Sequence, residues 1–588
     1  MYILGLNAYH PDSSACLVRD GKLIAAAEEE RFCGIKHWSG FPTQAICYCL
    51  REAGLELGEV NYVAVNKDPR AHLFQKLLFV GTHNPSFRLL MDRATNASHV
   101  FRIKDALMSK IGVSGKAFCA KMMSVEHHRA HLASAFLVSP FDESVIVSID
   151  GFGDFTSCMV ATGRGNRINV LYEVNYPHSL GIFYTAFTQF LGFDKFGDEY
   201  KVMGLAAYGN PNYVKEMEDI IILKPKGKYE LDLDYFSFYK NGIAMEWNDT
   251  APTLSKVYSK KFEDKFSNAS IHNGTLSQYH YDLSASLQKV YENALFHVLN
   301  YAFKRTGISH LCLSGGCALN SSANGKIARR TKFTKVYIQP ASSDAGGSLG
   351  AAYYLYNHIL GKERTFVMKH AYWGPQYNDA EIETAMKALK EGAAENRYEV
   401  EKTDDTDTLC TKTAKLIAEG KIVGWFQGRM EWGPRALGNR SILADPRREE
   451  MKDILNERIK KREWFRPFAP SILLERVNEY FETDCSDPFM LKVCPIKEDK
   501  KAHIPAVTHI VGTGRLQTVS KDENPVYWKL INEFDKLTGI PILLNTSFNE
   551  NEPIVCTPQK ALECFLRTRM DVLVLARYVL VKKRGTGK

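Results

Sequence analysis

Residues 2–29 read YILGLNAYHPDSSACLVRDGKLIAAAEE: a short apolar run, a polar turn, and two further runs joined by Asp20-Gly21. Short apolar runs bounded by turn residues predict β-strands, and an Asp-Gly pair is typical of a hairpin turn. Residues 143–174, ESVIVSIDGFGDFTSCMVATGRGNRINVLYEV, repeat this order of run, glycine-rich turn and two returning runs. The same supersecondary unit therefore occurs twice.

Two such units, each followed by helices, predict an α/β fold whose first domain resembles the duplicated actin/hexokinase-like core, with a ligand cleft between its halves. The turn after the first strand of each half would face this cleft, where backbone N–H groups can approach phosphates. His10 lies in the first turn, and Asp150, Gly151 and Gly153 lie in the second.

Two later segments combine a strand, a glycine loop and a helix. Residues 309–327, SHLCLSGGCALNSSANGKI, run into Gly315-Gly316 and predict a helix near Leu319; residues 336–356, VYIQPASSDAGGSLGAAYYLY, carry Asp344 in the loop. Glycines let a backbone approach a ligand, and a helix N-terminus offers free N–H groups to an anion. Ordinary turn chemistry would explain one such loop, but two beside the duplicated hairpins favour a ligand site.

The stretch VEHHRAHLASAF, residues 125–136, places His127 and His131 four residues apart in a predicted helix, so both imidazoles project from one face. Such a pair alone is common in surfaces and cores. With Asp150 and Asp344 in the cleft turns it becomes a set suited to a divalent metal, and both zinc and ferrous iron fit. His10 would then be a general base, or else a turn histidine that bonds locally.

Arginines and lysines are dense in residues 424–448, GWFQGRMEWGPRALGNRSILADPRR, and in residues 459–471, IKKREWFRPFAPS. They lie beside glycines, prolines and hydroxyls, whereas a solvated helical face would space its charges regularly. Guanidinium groups match phosphate oxygens in pairs, so this pattern predicts a small phosphate-containing ligand. The residues concerned are Arg435, Arg440, Lys460, Arg466 and Arg515.

Size and composition indicate two or three globular domains in 588 residues, which we place at 1–365 and 386–588 with a linker at 366–385. The net charge of +8 is small for this length, so no nucleic-acid partner is expected. No signal peptide and no membrane partner are expected, because no apolar run is long enough. The thirteen cysteines include no C-x-x-C pair, which favours a reducing cytoplasm.

Taken together, these residues resemble the NodU/CmcH-type O-carbamoyltransferases. The resemblance runs through nearly the whole chain, and only residues 211–273 carry no recognised motif. The motifs include LGLNAYHPDSSA, AEEERF, EHHRAHLASAFLVSPF, DGFGD, DEYKVMGLAAYG, LSGGCALN, SSDAGGSLGAA, GPRALGNRSILADPR, REWFRPFAPS and LNTSFN.

The resemblance implies a TsaD-type N-terminal domain and a YrdC-like C-terminal domain. The C-terminal domain would form carbamoyl-adenylate from carbamoyl phosphate and ATP. The N-terminal cleft, with a metal expected to be iron (zinc or magnesium being alternatives), would transfer the carbamoyl group to a hydroxyl of a small natural product. A homodimer would be unsurprising, and Cys317 receives no role.

By motif position, the resemblance assigns the site residues as follows. His127, His131, Asp150 and Asp344 would bind metal; His10, Lys460 and Arg466 would be catalytic; Lys36, Gly151, Gly153, Lys201, Gly315, Gly316 and Asn320 would bind nucleotide; Arg435, Lys460, Arg466, Arg515, Asn545 and Ser547 would bind carbamoyl phosphate and the adenylate.

Two other functions stay open from sequence. A tRNA-modifying enzyme could use the same two folds to place a threonylcarbamoyl group, although it would need a basic face, which the modest net charge disfavours. A non-catalytic nucleotide-binding switch of the actin-like kind would not need His10. The sequence does not identify the acceptor, because the loops that form a pocket wall vary freely.

Overall fold

The computed structural model describes residues 1–112, 118–247, 251–266, 276–390, 398–483 and 486–583, with backbone alone at 388–390. Contacts divide the chain into two compact units, Met1–Met368 and Lys369–Lys588. Helix Asp379–Lys390 begins inside the linker expected at 366–385, because its residues Ile382 and Met386 pack into the core of the second unit.

The first half of the N-terminal unit is a five-stranded sheet in the order β3-β2-β1-β4-β5. The first three strands are antiparallel neighbours, as the hairpin pattern predicts, and the last two run parallel to β1. The strands are β1 (Tyr2–Asn7), β2 (Ser14–Arg19), β3 (Lys22–Glu28), β4 (Tyr62–Val65) and β5 (Lys121–Ser124).

The second half repeats this topology in a sheet of order β14-β13-β6-β7-β8, again with three antiparallel and two parallel strands. The predicted duplication is therefore confirmed. The strands of this sheet are β6 (Glu143–Gly153), β7 (Thr156–Arg164), β8 (Arg167–Asn175), β13 (His310–Ser314) and β14 (Lys335–Ile338). Between β8 and β13 the chain forms four short strands in two separate two-stranded sheets: β9 (Ile221–Lys224), β10 (Lys228–Leu231), β11 (Met245–Glu246) and β12 (Thr253–Leu254).

Helices fill the connections between these strands. The predicted helix near Leu319 is shorter than expected: a 3-10 turn, Gly316–Leu319, precedes one turn of helix, Ser321–Asn324. Among the described residues no helix combines the length and apolar character needed to cross a bilayer. The longer helices are Thr43–Glu52, Leu73–His83, Phe87–Phe101, Ile103–Ile111, His127–Phe136, Leu180–Phe190, Glu199–Leu205, Gln278–Thr306 and Gly346–Tyr353.

Helix Gly346–Tyr353 packs with its backbone directly against two other elements. A Cβ atom at Gly350 would lie 1.8 Å from the carbonyl oxygen of Ala130 in helix His127–Phe136. A Cβ atom at Gly5 in β1 would lie 2.1 Å from the carbonyl oxygen of Ser348. Only glycine permits approaches this close, so these three segments, which carry or adjoin predicted site residues, pack with their backbones in direct contact.

The C-terminal unit is a nine-stranded mixed sheet of order β15-β23-β22-β16-β17-β21-β18-β20-β19 with helices on both faces. The apolar runs PFAPSILLE and IPILLNTSF contain the buried strands β18 and β21, and residues 406–426 contain a helix followed by a strand. The strands are β15 (Tyr398–Lys402), β16 (Val423–Phe426), β17 (Arg440–Ala444), β18 (Ala469–Leu473), β19 (Lys492–Pro495), β20 (Thr513–Val519), β21 (Ile542–Ser547), β22 (Val572–Leu575) and β23 (Tyr578–Lys582). The main helices are Asp379–Lys390, Thr406–Ala418, Pro525–Thr538 and Pro558–Arg567.

The close packing at Gly350 leads to a first prediction. Gly350→Ala should destabilise the N-terminal unit by about 1–3 kcal/mol, because the added methyl group overlaps a backbone carbonyl that cannot rotate away. The matched control is Gly81→Ala, also in a helix but with nothing within 4 Å of the added Cβ. Thermal unfolding of both variants measures the effect, and equal melting temperatures would contradict the packing described.

Candidate metal centre and cationic site

Four of the predicted metal ligands converge in the N-terminal unit. One ligand atom from each of His127, His131, Asp150 and Asp344 lies within 4.8 Å of all the others. The two Nε2 atoms are 3.0 Å apart, and His131 Nε2 lies 3.1 Å from Asp150 Oδ2. Asp344 Oδ1 lies 3.4 Å from His127 Nε2 and 3.5 Å from His131 Nε2. The helix and the cleft turns thus bring together the residues that the sequence singled out.

The neighbouring His128 shows why only two of the three histidines face this cluster. Its Nδ1 lies 2.9 Å from Ser148 Oγ and its Nε2 lies 2.9 Å from the carbonyl oxygen of Thr156. Burial lowers the pKa of His128 well below its ordinary value. His128 is therefore a neutral core residue that joins the helix to the second sheet.

Two acidic residues anchor the start of helix His127–Phe136. Glu126 caps the helix by accepting from the backbone N–H groups of His128 and Arg129. Asp154 Oδ2 accepts from the backbone N–H groups of His127, at 3.0 Å, and Asp68, at 2.7 Å. Sequence reasoning missed both roles, although the motifs EHHRAH and DGFGD contain them.

Gly153 lies beside the His127 ring, where a Cβ atom would be 2.2 Å from the ring carbons. Gly151 donates its backbone N–H to Asp150 Oδ1 at 2.6 Å. Both glycines therefore serve the ligand cluster directly, Gly153 by leaving room for an imidazole and Gly151 by orienting a carboxylate.

The titration of the imidazoles follows from burial and their carboxylate neighbours. Burial lowers the pKa of His127. Burial also opposes protonation of His131, but the carboxylates of Asp150 and Asp344 outweigh it and raise the pKa of His131 to about 9. Burial would raise the pKa of Asp344, yet His10, His127 and His131 hold it well below its ordinary range. Asp344 is therefore ionised, and its carboxylate can bind a cation.

Asp344 also positions the predicted base. Its Oδ2 lies 2.8 Å from His10 Nδ1, while its Oδ1 faces His127 and His131. One carboxylate thus contacts the imidazole of the first turn with one oxygen and the ligand cluster with the other. The contact is an ion-pair approach without a well-directed hydrogen bond; the carboxylate would favour a proton on Nδ1, and Nε2 would then be the atom that can accept a proton.

The chemistry of this donor set fits a divalent metal. Asp150 Oδ2 and Asp344 Oδ1 are buried and accept no well-directed hydrogen bond from the described residues, although imidazole nitrogens lie 3.1–3.5 Å away. Two imidazole nitrogens with two carboxylate oxygens suit iron or zinc, whereas magnesium prefers oxygen alone. A bound ion would satisfy these atoms and would supply Lewis-acid polarisation of a substrate oxygen.

Two predicted nucleotide-binding lysines lie near a separate cluster of Asp12, Glu30 and His37. His37 Nδ1 lies 2.6 Å from Asp12 Oδ1, and its backbone N–H donates to Glu30 Oε2. Lys36 precedes this histidine, and Gly197, just before the helix that carries Lys201, would place a Cβ 2.8 Å from His37 Nε2. Lys201 itself pairs with Asp198 at 3.0 Å.

Of the other predicted nucleotide-binding residues, the glycines of the 315–316 turn lie beside the metal-ligand cluster that contains Asp150. Asn320 does not. Gly315 has a φ of +87° and leaves room for the carbonyl oxygen of Ile149, 2.2 Å from where a Cβ would lie. A Cβ atom at Gly316 would lie 3.1 Å from Asp150 Oδ1. Asn320 instead caps its own helix and exchanges two hydrogen bonds with Gln288.

A group of guanidinium side chains gathers in the C-terminal unit around Arg515 in β20. Burial lowers the pKa of Arg515 well below its ordinary value, and the positive charges of Arg435, Arg462 and Arg466 lower it further. Arg515 Nε is buried and donates no hydrogen bond to the described residues. Such crowding of like charges favours an anionic ligand. Arg462 belongs to this group but was missed, although the motif IKKREWFRPFAPS contains it.

The other predicted phosphate-site residues surround a neighbouring buried segment. Lys460 is 1% exposed, and its Nζ donates to the carbonyl oxygen and Oγ of Ser547 and to the carbonyl and side-chain oxygens of Asn549. Asn545 donates to Gln517, Ser471 and the carbonyl oxygen of Ala436. Lys460 therefore holds the 547–549 loop with its ammonium group.

Arg440 does not belong to the predicted phosphate site. Its side chain is fully buried, its guanidinium carbon lies 3.6 Å from the centre of the Phe426 ring, and it donates to four backbone carbonyls. The density of arginines in this stretch suggested a ligand contact, but Arg440 is a core residue that ties neighbouring loops together.

The family model described as carbamoyltransferase N-terminus matches residues 2–353, and that described as carbamoyltransferase C-terminus matches residues 414–582. The chain belongs to the carbamoyltransferase family. The resemblance inferred from the motifs is confirmed, and so is the α/β fold class with its two-domain architecture.

Relatives of this carbamoyltransferase match over nearly its full length. The uncharacterized protein sll1178 of Synechocystis sp. is 40% identical over 99% of this chain and 97% of its own. Nodulation protein NolNO of Sinorhizobium fredii is 40% identical over 98% of this chain and 80% of its own. Among solved structures, HypF of T. kodakarensis is 14% identical, with a TM-score of 0.32 over 61% of this chain and 48% of its own.

The ligand cluster leads to a second prediction. His131→Ala and Asp344→Asn should weaken the binding of ferrous iron or zinc by at least about tenfold, because each removes one of four converging donor atoms. Isothermal titration of the purified protein with each metal ion measures this. His37→Ala is the control, since it lies in the separate cluster and should leave the affinity unchanged. If His37→Ala alone weakened binding, the ion would lie in that cluster.

His509, beside Arg515, leads to a third prediction. Burial lowers the pKa of His509 to about 3, and the charges of Arg515 and Lys452 act in the same direction. The unfolded chain therefore binds a proton between pH 6.5 and 3 that the folded chain does not. This residue's contribution to stability is complete above pH 6.5 and falls with pH by up to about 1.4 kcal/mol per pH unit.

Replacing His509 with asparagine should reduce the loss of stability on acidification from pH 7 to pH 4. Thermal melting at several pH values, compared with the wild type, measures the difference. His503→Asn, at an exposed position, is the matched control and should follow the wild-type curve. Parallel curves for wild type and His509→Asn would contradict an imidazole that stays neutral in the folded chain.

Proposed function

We propose that this carbamoyltransferase is an ATP-dependent O-carbamoyltransferase that works in two stages. The C-terminal unit would form carbamoyl-adenylate from carbamoyl phosphate and ATP. The N-terminal unit would transfer the carbamoyl group to a hydroxyl of a small-molecule natural product. The observation that carries this proposal is the pairing, in one family member, of a guanidinium cluster around Arg515 with an imidazole–carboxylate cluster around Asp344.

The first stage would be the hydrolysis of carbamoyl phosphate followed by an adenylyl transfer from ATP to carbamate. Water releases phosphate from carbamoyl phosphate, a carbamate oxygen attacks the α-phosphorus of ATP, and pyrophosphate leaves. Each reactant carries negative charge, so donors that are fixed in advance stabilise both the reactants and the transition state. Arg435, Arg462, Arg466 and Arg515 supply such donors, while Lys460 and Asn545 hold the adjoining segments in place.

The second stage would be an acyl transfer with balanced proton movement. The acceptor oxygen attacks the carbamoyl carbon, AMP leaves with the bonding electrons, and the hydroxyl proton passes to His10 Nε2. Asp344 holds the opposite ring nitrogen at 2.8 Å and stabilises the imidazolium that forms. The metal expected at this site is iron, with zinc as the alternative, held by His127, His131, Asp150 and Asp344.

The fourth prediction is that substitutions at the two sites abolish the two stages separately. His10→Ala should leave ATP–pyrophosphate exchange with carbamoyl phosphate intact, because the base acts only in transfer, and should reduce transfer by about 10²–10⁴-fold. Arg466→Ala should reduce the exchange by about 10²-fold while the variant still uses synthetic carbamoyl-adenylate. Arg577→Ala, an exposed arginine paired with Asp379, is the control and should retain both activities.

Transfer is measured by incubating the protein with a metabolite extract and searching by mass spectrometry for a product heavier by one carbamoyl group. Loss of pyrophosphate exchange in His10→Ala, or its retention in Arg466→Ala, would contradict the assignment of stages. Wild-type protein that neither exchanges pyrophosphate nor carbamoylates any acceptor would refute the function itself.

A further inference from the structure

Two helices of the N-terminal unit expose much apolar surface. Helix Leu73–His83 buries one residue, Phe79, and helix Phe87–Phe101 buries two, Leu89 and Val100. We call these two segments the apolar helix pair. Their exposed apolar side chains are 38–78% accessible: Leu73, Phe74, Leu77, Leu78, Val80, Phe87, Leu90, Met91 and Phe101.

The exposed residues form a stripe on each helix. Leu73 and Leu77, and likewise Phe74 and Leu78, are four residues apart and share one face. In the second helix Phe87, Leu90 and Met91 follow the same spacing. Each helix therefore has an exposed apolar stripe, which extends over most of the first helix and over the first turns of the second.

The size of this surface is unusual for a protein without a partner. With roughly 150–250 Å² of surface for each large apolar side chain, nine residues at these exposures present on the order of 1,000 Å². The largest apolar patch of a typical monomer is about 300–600 Å². Divided between the two helices, the exposed apolar surface of each is about the size of this largest patch, and a patch of that size is often functional.

The charge around the apolar helix pair indicates the nature of that partner. Residues 70–111 contain seven lysines and arginines and two aspartates, a net charge of +5 out of +8 for the whole chain. Arg88, Arg102 and Lys104 are among the exposed residues. A protein interface has no general need for one sign of charge, whereas apolar helices flanked by basic residues are the usual feature of binding to anionic lipid.

We propose that the apolar helix pair binds the surface of a bilayer that contains anionic lipid. Phe, Leu and Met side chains would enter the boundary between headgroups and acyl chains, and the flanking arginines and lysines would attract the negative headgroups. This contact lies on the surface, so it differs from the spanning segment that the sequence excludes. The proposal departs from the expectation of no membrane partner, which rested on the absence of a long apolar run.

The apolar helix pair is anchored to the candidate metal centre. The backbone N–H of Asp68, just before the first helix, donates to Asp154, which also accepts from His127. The Phe79 ring lies 5.9 Å from that of Phe155, in the turn after β6. Binding through this surface would hold the cleft of the N-terminal unit close to the bilayer.

The fifth prediction tests this surface by vesicle flotation of the full chain. Vesicles of phosphatidylcholine with about 30% phosphatidylglycerol should carry the protein, pure phosphatidylcholine should carry much less, and added salt should release it, because exposed charges are screened. The double variant Phe74→Gln/Phe87→Gln should reduce flotation at least tenfold. Its melting temperature should match the wild type, since these side chains are 74% and 78% exposed.

The matched control is Ile510→Gln/Leu537→Gln, which removes exposed apolar residues from the C-terminal unit, 67% and 54% accessible. It should float like the wild type. Absence of flotation with anionic vesicles at low salt would overturn the proposal, as would equal loss in both double variants. Light scattering that shows a dimer dissociated by Phe74→Gln/Phe87→Gln, without flotation of the wild type, would assign the surface to a second copy instead.

Discussion

The candidate metal centre depends on three backbones that approach one another without side chains between them. Helix Gly346–Tyr353 contacts the carbonyl of Ala130 at Gly350 and, through Ser348, the glycine of β1. Asp344 immediately precedes this helix, His10 follows β1, and His127 and His131 lie on the helix that contains Ala130. Since side chains reach only a few ångströms, the carboxylate of Asp344 can contact all three imidazoles only while these glycines keep their neighbours close.

Given that scaffold, the electrostatics of the cluster follow from a shared carboxylate. Asp344 turns one oxygen toward His10 and the other toward His127 and His131. A charge on Asp344, His127 or His131 changes the cost of a charge on the other two, so the protonation of these three groups is coupled. An ion held by the cluster would compete with protons for His127 and His131, while His10 contacts the opposite oxygen of Asp344 and lies with its ring 5.0 Å from that of His127. In the proposed function, the atom that would accept a substrate proton is therefore distinct from the atoms that would bind the ion.

The sequence predicted those features of the structure that depend on residue type and spacing, and missed those that depend on contacts with the backbone. Alternating strands with an Asp-Gly turn repeat recognisably, so the duplicated sheet could be predicted, and the residue types and spacing of His127, His131, Asp150 and Asp344 sufficed to group them. Asp154 and Glu126 act by accepting backbone N–H groups, which residue type does not disclose. Arg440 is of a residue type that often binds phosphate, but its guanidinium group donates hydrogen bonds to backbone carbonyls of other loops. Only the folded chain brings these carbonyls to it. The apolar helix pair drew no interpretation either, because its apolar spacing is the same as that of a helix with a covered face.

The two clusters differ in what they require from a ligand. In the N-terminal unit, each carboxylate of the cluster lies beside an imidazole. Most of the negative charge of Asp150 and Asp344 is therefore compensated within the protein. In the C-terminal unit, burial is the main cause that lowers the pKa of Arg515, and the positive charges of Arg435, Arg462 and Arg466 lower it further. An anion bound there would relieve the repulsion and gain the guanidinium contacts at once, so part of its binding energy is stored in the free protein as unfavourable charge. Binding and stability of the C-terminal unit are then linked: the more strongly these side chains repel one another, the more a bound anion stabilises the folded state over the unfolded one. Dispersing the arginines would raise the stability of the free unit and remove the reason for a polyanion to bind.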